Sequence, residues 1–117
     1  MAKMDNRTQV VTVASSGTVS TGFTLQAHEI FIGAIFPDMD VGTVGLEYTQ
    51  DSGANWHPIL DPADGDDLLV VKSGADPGVI DISDFIRFAH ANKHHQLRFT
   101  CASQTSGAVN ITVLTKG

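Results

Sequence analysis

The sequence predicts an all-β fold: a single antiparallel β-sandwich, jelly-roll-like, with about eight or nine short strands and one short helix or helical turn. Short runs rich in Val, Ile and Thr recur along the chain, and clusters of Gly, Pro, Asp and Ser separate them. Several runs alternate polar with apolar residues, which is the period-two pattern of a half-buried strand. The length of 117 residues fits one domain and is too short for two ordinary ones.

The first half of the chain contains the strongest strand signals. Residues 30–36 are continuously apolar, as expected for a strand covered on both faces or lying centrally in a sandwich. Pro58 lacks an amide proton, so the segment around it is expected to lie at a sheet edge or to be irregular. The predicted strands here are residues 9–14, 18–25, 30–36, 44–49 and 56–60. The second of them is expected to carry Val19, Thr21, Phe23 and Leu25 on one face.

The second half of the chain begins with an acidic loop at residues 61–67 and contains one helical candidate. That candidate is residues 82–91, where Ser83 can cap the first turn. The polar residues 1–8 are expected to form a flexible arm, so that the sandwich domain covers residues 9–117. The predicted strands in this half are residues 68–71, 78–82, 96–101 and 109–115.

Residues 49–56 read T-Q-D-S-G-A-N-W and fit the pattern T-x-D-x-G-x-x-W. Asp51 can accept hydrogen bonds from amides two or three residues further on, and Gly53 can take the positive φ of a tight turn. The ring of Trp56 can then cover one side of the turn. We therefore interpret Thr49, Asp51, Gly53 and Trp56 as a structural turn. The segment resembles the Asp box of sialidases, but a sialidase propeller requires several copies and this chain has one.

Composition argues against several classes of protein. The net charge is −6, and the seven Lys and Arg residues form no basic cluster, so nucleic-acid binding is not expected. No apolar run approaches the ~20 residues that span a bilayer, and no signal-peptide stretch follows Met1, so we expect no membrane association and synthesis in the cytoplasm without export. Cys101 is the one cysteine, which excludes an intramolecular disulfide, and we expect it to be a small core residue.

Two clusters of possible metal ligands occur. His90, His94 and His95 lie close in sequence, but a metal site would require further ligands, so we expect solvated turn histidines. The aspartates of residues 61–67 lack the full spacing of a calcium-binding loop, and we expect them to be solvated.

The sequence shows no catalytic motif. Glu29 and Glu47 could meet across a sheet, but the sequence gives no separation on which a glycosidase pair could be argued. We expect no catalytic residues, no bound metal and no cofactor.

The order of segments carries one further resemblance. An apolar strand ending Phe36-Pro37 is followed by V-G-L-E-Y-T at residues 44–49, the D-S-G-A-N-W hairpin, an acidic loop and L-R-F-T-C at residues 97–101. This order resembles small β-sandwich virion proteins of tailed bacteriophages, particularly capsid decoration or cement proteins. The resemblance implies a structural protein on the outer capsid surface of the virion. It also implies a small homo-oligomer, with a trimer favoured, that binds the major capsid protein and bridges its subunits.

The predicted arm is the expected partner surface. Within it, the candidate partner contacts are Met1, Lys3, Met4, Asn6 and Arg7.

The alternative function is a carbohydrate- or host-surface-binding module of a phage tail, fibre or baseplate. In that case Trp56 and Tyr48 are exposed and stack on a sugar.

Overall fold

The computed structural model describes residues 6–25, 29–40, 43–81, 95–105 and 107–116, and these residues contain eight β-strands. In chain order the strands are β1 (Asn6–Val13), β2 (Ile30–Phe36), β3 (Thr43–Thr49), β4 (His57–Pro58), β5 (Lys72–Ser73), β6 (Gly78–Asp81), β7 (Gln96–Cys101) and β8 (Val109–Lys116). Every pairing between them is antiparallel. The predicted all-β class is therefore confirmed.

The strands form two four-stranded sheets that pack against each other. Sheet A has the order β1-β8-β2-β6. In sheet B, β3 pairs with β7 along one side and with the two short strands β4 and β5 along the other. This arrangement is the predicted antiparallel β-sandwich. In the described part of the chain, no helix has both the length and the apolar character needed to cross a bilayer.

The core lies between the two sheets and is built by period-two alternation. Strand β8 shows the pattern most regularly. Ile111 and Val113 are fully buried, while Asn110, which precedes Ile111, is exposed. Four phenylalanines join the sheets, with ring centroids 5.3–6.2 Å apart and mostly edge-to-face. These rings are Phe23, Phe31, Phe36 and Phe99.

Strand β1 begins three residues earlier than the sequence predicted. Arg7 and Thr8 pair with Thr115 and Leu114 of β8, so residues 6–8 belong to sheet A and the boundary of the arm is corrected accordingly. The sequence signal failed because these polar residues do not resemble a buried strand. Residues 1–5, with Met1, Lys3 and Met4, lie outside the described residues, as does the predicted helix at residues 82–91.

The segment at residues 18–25 differs from the regular strand that was predicted. It makes isolated bridges to β7 instead of a continuous ladder. Phe23 is buried as predicted, but Thr21 is exposed and Ser20 is buried instead. The hydroxyl of Ser20 accepts the backbone N–H of Phe99 at 2.9 Å, which satisfies a polar group that alternation alone would have placed outside.

The region between β3 and β6 also differs in detail. Residues 68–71, predicted as a strand, make one bridge, between Leu68 and Leu60, and the short strand β5 follows at Lys72. The prediction for Pro58 is confirmed, because β4 is two residues long and pairs with β3 at the edge of sheet B.

Candidate functional site

The Asp-box turn, residues 49–56, is closed by a hydrogen-bond network centred on Thr49 and Asp51. Thr49 is fully buried; its hydroxyl donates to Asp51 Oδ1 at 2.7 Å and accepts the backbone N–H of Gly53 at 3.0 Å. Asp51 accepts the Asn55 backbone N–H at 2.9 Å and the Asn55 side-chain amide at 2.8 Å. The Asn55 amide, followed by the Thr49 hydroxyl, favours the ionised carboxylate and lowers the pKa of Asp51 to about 2.

The backbone of this turn is more strained than the sequence indicated. Gly53 has the predicted positive φ, at 95°, but Ser52 also lies in the left-handed region, at 62°. Asp51 was expected to bond amides two or three residues onward, whereas its partner Asn55 is four residues onward. The role of Asn55 was therefore missed, although an amide side chain placed to reach back to Asp51 was visible in the sequence.

Trp56 packs against Arg98 of β7. The guanidinium carbon of Arg98 lies 4.2 Å from the centroid of the Trp56 ring, within the range of a cation–π contact. Arg98 also forms an ion pair with Glu47 of β3, with a distance of 2.7 Å between Nη2 and Oε1. A Cβ atom on Gly53 would lie 3.5 Å from the indole nitrogen, so the turn itself covers part of the ring.

Tyr48 likewise makes contacts within the chain. Its hydroxyl and Nδ1 of His95 are hydrogen-bonded, and the two rings lie 5.8 Å apart. The Tyr48 ring packs against the core. The two aromatic residues of the predicted sugar platform therefore both serve contacts within the sandwich, and neither is classed as exposed. His90 and His94 lie outside the described residues.

The candidate partner residue Arg7 is held by Glu29. Its Nε and Nη2 atoms donate to the two carboxylate oxygens at 2.8 and 2.5 Å, and Nη2 also donates to the Thr24 carbonyl at 3.2 Å. The Glu29 side chain is 4% exposed, and its carboxylate raises the pKa of Arg7 through this hydrogen bond. Glu29 and Glu47 are thus each paired with a different arginine rather than with each other.

The acidic loop folds on its own carboxylates. Asp64 Oδ1 accepts the backbone N–H groups of Asp67 and Asp66, at 3.0 and 2.9 Å, and these two bonds lower the pKa of Asp64. Asp61 Oδ1 accepts the Ala63 N–H at 2.9 Å. Across the ranges that the structure describes, no three His, Cys, Asp or Glu side chains come together as a metal site, in this loop or elsewhere.

The outer face of sheet A carries a row of four residues that the register places side by side. Val10 of β1 pairs with Thr112 of β8, Thr112 pairs with Ile35 of β2, and Ile35 pairs with Val79 of β6. Val10 and Val79 are each 64% exposed and Ile35 is 42% exposed. We call these four residues the outer row. Ile35 is exposed, so β2 is not covered on both faces there; β2 instead lies centrally, between β8 and β6, which is the other arrangement that its apolar run predicted.

Comparison with known proteins identifies no relative. No protein-family model matches this chain, and it matches no curated protein and no solved structure. The candidate site therefore rests on the residues of this chain alone. The outer row is its most informative feature, because closely spaced exposed aliphatic side chains are typical of surfaces that bind other molecules.

Proposed function

We propose that this protein is a structural virion protein, a capsid decoration or cement protein that binds the outside of a phage head and bridges its capsid subunits. The outer row carries the proposal. It places three exposed aliphatic side chains on directly opposed positions of four hydrogen-bonded strands. Such a face loses apolar exposure when it contacts a shell, and this favours association.

The strands that bear the outer row are well suited to repeated contacts of modest strength. Paired strands present their side chains in fixed positions, so little conformational entropy is lost on binding. Burying the remaining exposed part of one aliphatic side chain contributes about 1 kcal/mol. In a homotrimer bound to the major capsid protein, several such contacts act together through effective concentration.

The N-terminal residues belong to the same proposal. Residues 1–5 directly precede β1, and β1 carries Val10 of the outer row. Met1, Lys3 and Met4 therefore remain proposed partner contacts. Arg7 is a weaker candidate for a partner contact than these three residues, because its guanidinium is engaged by Glu29.

Co-sedimentation with capsid shells that lack this protein tests the proposal. We expect the wild-type chain to sediment with the shells at saturable occupancy. The double variant Val10→Ser, Val79→Ser should bind about thirtyfold more weakly, since two contacts of about 1 kcal/mol each are lost. A chain lacking residues 1–5 measures the share of the arm, and Gln50→Ser, on the exposed hairpin, is the matched surface control.

Two results would contradict the proposal. Absence of the wild-type chain from the shell fraction would reject the decoration function. Unchanged affinity of the Val10→Ser, Val79→Ser variant for the shells would reject the outer row as the binding face. Circular dichroism of the double variant and of the chain lacking residues 1–5 shows whether each is folded, which separates loss of binding from loss of fold.

A further inference from the structure

A second exposed apolar surface lies outside sheet B, next to the acidic loop. Leu68 and Val70 are 55% and 49% exposed, while Leu69 between them is buried at 6% exposure. We call residues 68–70 the Leu68 ridge. The ridge separates two hollows, one of about 330 Å³ on the side of β3 and β7 and one of about 570 Å³ on the side of the acidic loop.

The ridge is held to the sheet by backbone hydrogen bonds. Leu69 N–H donates to the Ile59 carbonyl at 3.0 Å, and Val71 N–H donates to the Val44 carbonyl at 2.8 Å. The exposed side chains of the ridge are thus presented from a fixed backbone, although residues 68–71 do not form the regular strand that the sequence predicted.

The smaller hollow exists because position 45 has no side chain. Its floor is formed by Thr43 and Gly45 of β3 together with Thr100 of β7. A Cβ atom on Gly45 would lie 3.0 Å from Thr100 Oγ1 and 3.3 Å from the Leu69 carbonyl oxygen. A larger residue would therefore fill the space between the ridge and the sheet.

The border of the larger hollow is strongly negative. Residues 59–71 include four aspartates and no lysine, arginine or histidine. Asp61 lines the hollow, and Asp64, Asp66 and Asp67 follow it in the exposed loop. An apolar surface with an anionic border is complementary to a ligand that is both apolar and cationic.

The described residues argue against a second copy of this chain as that ligand. Arg7 and Arg98 are in ion pairs, and Lys72 is buried and donates to the Gly74 carbonyl. Among the lysines and arginines that the structure describes, this leaves Lys116 as the exposed one. Anionic lipids and nucleic acids would be repelled by the loop, and the described residues that line the hollows include no aromatic ring on which a sugar could stack.

We infer that the Leu68 ridge and its two hollows bind a polypeptide segment of another protein, one that carries aliphatic side chains next to lysine or arginine. The aliphatic side chains occupy the hollows beside Leu68 and Val70, and the cationic groups lie over the acidic loop. This inference is independent of the proposed capsid function, and its test uses no shells.

The test is a fluorescence-anisotropy titration of the full chain with three short labelled peptides. In the first, lysine and leucine alternate; the second replaces leucine by serine and keeps the charge; the third replaces lysine by glutamate and keeps the leucines. We expect the lysine–leucine peptide to bind and each of the other two to bind at least about tenfold more weakly. Raising the salt concentration should weaken the binding, because exposed charges are screened.

Variants locate the binding surface. The double variant Leu68→Ser, Val70→Ser should lower the affinity for the lysine–leucine peptide about tenfold. Asp66→Asn should lower it about twofold and reduce its salt dependence. Gln50→Ser, on the exposed hairpin, is the surface control and should leave the affinity unchanged.

Several results would overturn the inference. No binding of the lysine–leucine peptide would do so, as would equal binding of the lysine–serine or glutamate–leucine peptide. Unchanged affinity in the Leu68→Ser, Val70→Ser variant, or an equal loss in Gln50→Ser, would show that the peptide binds elsewhere. Chemical-shift mapping gives a second readout, in which residues 68–70 and 43–45 are expected to shift.

Discussion

The Asp-box turn and the acidic loop use the same local chemistry and end in opposite surroundings. In both, an aspartate carboxylate accepts backbone N–H groups from residues that follow it, and its pKa falls. After the first turn, Trp56 is covered by Arg98 and the chain returns to sheet B. After the second, Leu68 and Val70 remain half exposed. Turn chemistry thus sets the local path of the chain, whereas contacts from distant strands decide whether the residues that follow the turn are covered.

Among the substitutions that distinguish the two turns, the largest loss of stability is expected at Thr49, which has no counterpart in the acidic loop. Thr49→Ala removes a buried hydroxyl that bonds Asp51 and Gly53, and it should lower the free energy of unfolding by about 2 kcal/mol. Urea denaturation measures the change. Thr49→Ser keeps the hydroxyl and should retain most of the stability; an equal loss in both variants would assign the effect to packing of the methyl group instead.

The next effect concerns the cover of Trp56. Arg98→Met removes the cation–π contact and leaves the partly buried Glu47 without its ion pair, and we expect a loss of about 1 kcal/mol. The emission of Trp56, the one tryptophan, should shift to longer wavelength as its ring gains contact with water. Arg98→Lys should give a smaller shift. Unchanged emission in Arg98→Met would contradict the described cover.

Acidification is expected to remove the stabilisation that the Asp51 carboxylate gives to the Asp-box turn. A carboxyl group whose pKa is lowered in the folded state stabilises the fold above its ordinary pKa, and this contribution is lost as the pH falls through the folded value. For Asp51 the loss occurs as the pH falls from 3.8 towards about 2. Asp51→Asn should therefore be less stable than wild type at neutral pH and should lose less stability over this range. Carbon-detected NMR titration gives the pKa of Asp51; an ordinary pKa for Asp51 would contradict its hydrogen-bond network.

A smaller effect is expected for the exposed residues of the Leu68 ridge. Leu68→Ser and Val70→Ser should each change the free energy of unfolding by less than about 0.5 kcal/mol, since neither side chain is buried. Leu69→Ala, between them and buried, should cost about 2–3 kcal/mol and serves as the internal control. If Leu68→Ser is as costly as Leu69→Ala, the ridge is part of the core and does not present a binding surface.

The smallest effect, none at all, is expected from oligosaccharides. Arg98 occupies one face of Trp56, and Tyr48 is bonded to His95, so a sugar has no prepared aromatic platform there. Titration with a broad panel of oligosaccharides should leave the tryptophan emission unchanged. A saturable change would favour the alternative function as a carbohydrate-binding module of a phage tail.

Sequence reasoning predicted the features that depend on neighbouring residues. The bounds of β2 and β7 and the positive φ of Gly53 agree with the prediction, because apolar runs and turn residues determine them locally. The contacts of Arg7 with Glu29 and of Arg98 with Glu47 were not predictable, since they join residues 22 and 51 positions apart. The outer row depends on the strand register of sheet A, and the exposure of Leu68 depends on the absence of a covering strand among the described residues.

The most direct test of the central claim is a cryo-electron microscopy reconstruction of shells decorated with this protein. The proposed function predicts sandwich-shaped density on the outer surface, with the outer face of sheet A, bearing Val10, Ile35 and Val79, in contact with capsid subunits. Density in which this face points into solvent, or shells with no additional density at saturating protein, would contradict the claim.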